Sequence, residues 1–98
     1  MVIEMWEEEG IEQEHTLTVS DGKYQRLDGF PFKWFSVEVE NEGPDEVKVM
    51  INAQPLPQAI TLDEREAREF SYKRPQISQV RLYAESGKTA TVKVVTRR

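Results

Sequence analysis

The chain carries eighteen carboxylates, thirteen lysines and arginines, one histidine and no cysteine. Without cysteine there are no thiolate nucleophiles, no sulfur ligands for metals and no disulfides. His15 is the single imidazole, and Glu12, Gln13 and Glu14 precede it. These neighbours have no recognised metal-ligand spacing, and alternating side chains on an extended segment cannot all converge on one ion. His15 therefore reads as an ordinary surface histidine. Glu38 and Glu40 form the best carboxylate pair, about 7 Å apart if they share a strand face, near the separation an inverting glycosidase uses. Such a pair needs a cleft that raises one carboxyl pKa, and a chain this small has little wall from which to build it. With Lys48 expected opposite them, a solvated sheet face is the better account. Asn41-Glu42-Gly43-Pro44-Asp45-Glu46 gathers oxygen ligands at a turn, yet lacks the loop spacing of a helix–loop–helix calcium site. None of the five serines lies in a Gly-x-Ser-x-Gly elbow, and no glycine loop is built to cradle phosphate. No catalytic residue, metal, cofactor or small-molecule substrate is expected, and the chain reads as a non-enzyme.

Charge is unevenly placed along the 98 residues. Seven acids precede the first basic residue, Lys23, whereas the segment from Lys23 onward has eleven acids and thirteen bases. An acidic arm over residues 1–14 thus precedes a balanced body over residues 15–98. The body has no basic stripe to neutralise phosphates and the arm repels them, which argues against nucleic-acid binding. No apolar run approaches the roughly 18 residues of a membrane span, and the acidic start is unlike a secretory signal.

The elements that must position these residues are almost all β. Thr16–Val19 alternates, Asp21-Gly22 suits a two-residue primed turn, and Tyr24–Leu27 returns, which predicts a hairpin. Phe32–Glu40 reads as the strongest strand, with Phe35, Val37 and Val39 inward and Ser36, Glu38 and Glu40 outward. Residues 41–45 read as a turn to Glu46–Asn52, where Val47, Val49 and Ile51 face in and Lys48 and Met50 face out. The two strands are expected to pair with each other. Asp63 and Glu66 fit a capping box, but Phe70 and Tyr72 alternate, so a turn at Asp63–Arg65 and a strand over Glu66–Lys73 is preferred. A change of parity between Ile77 and Val80 suggests a bulge near Ser78 and Gln79. Val80, Leu82 and Ala84, then Ala90, Val92 and Val94, complete the inward set. These seven or eight short strands predict one antiparallel β-sandwich, Ig-like or jelly-roll-like, with an acidic N-terminal arm.

Two features point to partners. Trp34 and Tyr83 fall on the parity opposite their inward neighbours, so together with Tyr72 they are candidate interface anchors, Trp34 alternatively filling a secondary cluster. Ile3, Met5 and Trp6 are large apolar residues among glutamates, unlike a purely solvating tail. They either add a strand to their own sheet or pair with the edge of a neighbour.

From Phe35 to Val95 the strand cadence Val37-Glu38-Val39-Glu40-Asn41-Glu42-Gly43-Pro44, followed by Ile60-x-Leu62, Val80-x-Leu82-x-Ala84 and Ala90-x-Val92-x-Val94, resembles that of small phage and prophage virion proteins. Capsid-decorating and head–tail accessory proteins are of this kind. The resemblance implies a virion structural protein, soluble in the host cytoplasm before assembly. Its partners would be further copies of itself, or capsid or tail proteins. A different class fits the aromatics as well: a carbohydrate- or protein-binding Ig-like module of a larger secreted or surface protein.

Overall fold

A computed structural model describes residues 12–29 and 33–98 as eight strands in two four-stranded antiparallel sheets. In chain order these are β1 (Glu12–Ser20), β2 (Tyr24–Asp28), β3 (Ser36–Pro44), β4 (Val47–Ile51), β5 (Ile60–Leu62), β6 (Ala67–Ser71), β7 (Gln79–Tyr83) and β8 (Thr89–Arg97). One 3₁₀ turn, Leu56–Gln58, lies between β4 and β5. The first sheet has the order β1-β8-β3-β6 and the second β2-β7-β4-β5. Among the described residues no helix is long and apolar enough to cross a membrane. Ile3, Met5 and Trp6 lie outside the described residues, as does Phe32, and β1 takes in the last three residues of the arm.

The pairing follows one rule. β1 pairs with β8, β2 with β7, β3 with β6 and β4 with β5, so the chain is a single long hairpin whose tip is the 52–59 connection. Folding that double ribbon over, so that β8 lies beside β3 and β7 beside β4, closes the two sheets. Two predicted hairpins are therefore absent. Asp21 and Gly22 do have the positive φ of a primed turn, 58° and 73°, and the Lys23 N–H reaches the Ser20 carbonyl at 3.1 Å. That turn carries the chain from one sheet to the other instead of pairing its flanks. The reason is the neighbouring Glu85–Lys88 turn, onto which it is hydrogen-bonded: Asp21 N–H to the Lys88 carbonyl at 2.9 Å and Gly22 N–H to the Ala84 carbonyl at 2.7 Å. Strand order also separates this sandwich from an Ig arrangement, in which the first two strands share a sheet.

β3 and β4 are likewise in different sheets, and β3 runs on through the expected turn to Pro44 with a register shift between Asn41 and Gly43. Asn41 explains the extension. Its side chain is fully buried, its amide donates to the carbonyls of Asp45 (2.8 Å) and Leu62 (2.9 Å), and its Oδ1 accepts from the Gly43 N–H (2.8 Å). Asp45 Oδ2 accepts from the Thr89 N–H at 2.9 Å, so the oxygen-rich segment is an internal staple and not an open cation loop. The bulge thus falls here, while Ile77 leaves β7 to form a separate bridge with Trp34. Asp63–Arg65 is a turn, as expected, and the strand after it is shorter than the expected Glu66–Lys73, being Ala67–Ser71; the capping-box bond forms, with the Asp63 N–H donating to Glu66 Oε1 at 2.7 Å, but it closes the corner into β6.

Between the sheets the inward parities meet as predicted. Val37, Val39, Val47, Val49, Val80, Leu82, Val92 and Val94 are all fully buried. Each contributes about 1.5–3 kcal/mol by leaving water. Trp34 joins them at 2 % exposure, with the Arg98 guanidinium 5.9 Å from its ring centroid. A bend at Phe35 resets the alternation, so the parity drawn back from Val37 does not apply to Trp34, and Phe35 itself is only half-buried. Met50 faces outward by parity yet is fully buried. The 3₁₀ turn lies against β4, and the Arg81 guanidinium holds this connection by the carbonyls of Asn52 and Gln54.

Candidate functional site

The outward faces of the two sheets carry most of the polar chemistry. On the first sheet, β8 presents Lys93, Val95 and Arg97 in sequence. Glu12 and Glu14 of β1 flank them on one side, and Glu38 and Glu40 of β3 on the other. Together they line a shallow groove of about 240 Å³ floored by the nearly buried Val95. Arg97 bonds Glu12 at 3.0 Å and lies 3.6 Å from Glu69, which also accepts from the Ser36 hydroxyl at 3.0 Å. Lys93 pairs with Glu14 at 3.3 Å. Hydrogen bonding to Glu14, then its charge, with smaller help from Glu40 and Glu42 against partial desolvation, raises the Lys93 pKa above its ordinary value. The predicted partner of Glu38 and Glu40 was Lys48; because β3 pairs with β8, the lysine in register with Glu40 is Lys93.

A raised lysine pKa stabilises the fold while the ammonium is protonated, and that contribution is lost only as pH climbs through the alkaline titration. Melts of Lys93→Met are expected to show a shallower loss of stability between neutral and strongly alkaline pH than wild type.

The second face is different. Tyr24, Tyr83, Lys48 and Thr61 form one row across all four strands. The rings of Tyr24 and Tyr83 stack with centroids 4.7 Å apart, tilted by 42°, and Tyr24 is 49 % exposed. Lys48 donates to the Thr61 hydroxyl at 3.2 Å. Arg26 and Arg81 form the next row, and Arg26 pairs with Asp28 at 3.1 Å.

The anticipated aromatic face is therefore not one surface. Trp34 is in the core, Tyr72 follows β6 and is 42 % exposed, and Tyr83 is half-buried beside Tyr24 on the other sheet. Tyr24 was missed because β2 was assigned to β1; its outward direction was legible from inward Leu27, but not its register with Tyr83. His15 is turned inward on the same parity as Leu17 and Val19, and its buried Nε2 has no hydrogen-bond partner among the described residues, so it is not the surface histidine expected. No group of three or more His, Asp or Glu suited to a metal exists among the described residues.

No family model matches the chain, and no curated protein matches it in sequence. Solved structures do match its fold. A de novo designed double-stranded β-helix superposes with a TM-score of 0.62 at 15% identity, covering 87% of this chain and 99% of the design. The Cupin_2 domain of an XRE family transcriptional regulator from Enterobacter cloacae gives 0.61 at 11% identity, covering 89% and 81%. A Bacillus endospore appendage protein, whose family forms disulfide-linked pili, gives 0.53 at 6% identity, covering 91% and 88%. At these identities the likeness is one of architecture: a double-stranded β-helix of the cupin or jelly-roll type. These neighbours are not virion proteins.

Proposed function

We propose that the chain is a non-enzymatic assembly module, a jelly-roll sandwich that works by being held against copies of itself or against a scaffold. The observation that carries this is the distribution of its polar groups. Apart from the half-buried, inward-turned His15, the inward-facing residues that meet between the sheets are chiefly aliphatic, while the carboxylates and cations that line the groove lie on an outer sheet face and partly neutralise one another. Such a surface offers complementarity rather than a poised acid or base. The appendage protein supports the reading, since a sandwich of this architecture serves there as a fibre subunit. A cysteine-free chain would have to assemble without disulfides. The setting implied by the sequence resemblance, a capsid-decorating or head–tail accessory role in a virion, is retained as part of this proposal.

Light scattering on the full chain is expected to show oligomers, or binding to a particle, that weaken when Met1–Gly10 is removed. A monomer at every concentration, with no particle bound and no response to the deletion, would count against assembly.

A second reading, a glycan- or peptide-binding module, is favoured by the exposed Tyr24–Tyr83 pair. Trp34 cannot serve as its platform because it is buried. Calorimetric titration with glycans that gives heat abolished by Tyr24→Ala would select this reading over assembly.

A further inference from the structure

We propose that copies of this chain associate head to tail, the outer face of β2-β7-β4-β5 in one copy seated on the outer face of β1-β8-β3-β6 in the next. The inference rests on the assembly reading above and specifies its surface and its partner. Charge complementarity selects the occupant. On the first face Glu12, Glu14, Glu38, Glu40 and Glu69 outnumber Lys93 and Arg97, leaving three negative charges in excess. On the second, Arg26, Lys48, Arg81 and Lys88 outnumber Asp28, Glu46 and Glu85, leaving one positive charge. At the margin of that face Lys88 lies 3.2 Å from Glu46 and 3.5 Å from Glu85, and Glu46 lies 3.9 Å from Lys48.

First face on first face would bring charges of one sign together, which disfavours a symmetric dimer through that face. The unlike pairing satisfies both. Shape agrees with charge. The groove has one apolar floor residue, Val95, set between Lys93 and Arg97 and bordered by carboxylates, and the Tyr24–Tyr83 ring pair is flanked by Arg26 and Lys48. Seating Tyr24 over Val95 brings Arg26 among Glu14 and Glu38, where desolvation strengthens the pairing. Aromatic anchors of this kind, ringed by polar contacts, carry most of the energy of an interface. Because the two surfaces are different, the contact does not close on itself, and it propagates as a ring or an open stack.

Sedimentation velocity on the full chain at low ionic strength tests this, with folding verified by circular dichroism. Wild type is expected to form an open-ended series of species that grows with concentration and shrinks as salt screens the faces. Glu38→Lys and Arg26→Glu are each expected to weaken self-association at least tenfold. Mixing the two variants is expected to restore it, because the reversed faces are complementary to each other and the intact faces still match. Oligomers that persist unchanged in both variants would overturn this interface while leaving assembly through another surface intact. A wild type that stays monomeric and binds no particle would overturn both. Loss of association in the single variants without rescue in the mixture would also overturn head-to-tail docking.

Discussion

Trp34→Ala is expected to be among the most destabilising single substitutions in this domain, costing about 3–5 kcal/mol through the lost transfer energy and the cavity left behind. The indole is 2 % exposed, and its backbone is locked to Ile77 by hydrogen bonds of 2.8 and 3.0 Å. For a domain whose total stability is about 5–15 kcal/mol, that loss lowers the melting temperature by about 12 °C or more. Tyr72→Ala, on an exposed ring, is the control, and about 0.5 kcal/mol or less is expected of it. The measurement is a thermal melt of both variants beside wild type. A Trp34→Ala protein that melts with wild type but loses an oligomer would return Trp34 to the surface and contradict the burial described above.

Asn41→Leu is the second large effect. The substitution is close in volume, yet it strands the Asp45 and Leu62 carbonyls and the Gly43 N–H, each of which the amide now satisfies inside the protein. An unsatisfied buried group costs about 1–3 kcal/mol, so a total of about 3 kcal/mol or more is expected. Asn41→Asp does no better, because a carboxylate would face two carbonyl oxygens with no proton to offer them. Urea denaturation reads the loss as a lower midpoint at an unchanged slope. A Leu variant as stable as wild type would mean that the corner does not depend on this amide.

These two residues also show what the sequence made legible. Side-chain direction is a local property with a period of two residues, and it was readable wherever the backbone stayed extended, as at Val37 and Val39 or Val80 and Leu82. It failed at Trp34 because a bend at Phe35 interrupts the alternation, and at Met50, which is buried although it faces outward by parity on the strand against which the following 3₁₀ turn lies. Strand partnership is not local. Asp21-Gly22 identified its own turn, but whether the flanks pair depends on the Glu85–Lys88 turn, more than sixty residues away. The candidate faces inherit that difficulty. Glu38 and Glu40 were recognised as a solvated pair, whereas Lys93, Arg97 and Tyr24 become their neighbours or counterparts only once β8 and β7 have been placed. His15 was misplaced for a related reason. Its neighbours in sequence are acids, while its neighbour in space is Val94.

The position of β8 between β1 and β3 has a consequence for biosynthesis. Until β7 and β8 have been synthesised, β1 and β2 have been made but their hydrogen-bonding partners have not. Only the inner part of the ribbon, β3 with β6 and β4 with β5, has its mates in the nascent chain by then. The first sheet must therefore be completed by inserting a nine-residue strand down its middle once β8 itself has been made. Topologies dominated by such distant pairings fold in milliseconds to seconds rather than microseconds. Until that insertion, β1 and β3 present open edges, the period in which a half-made copy is most prone to stick to its neighbours.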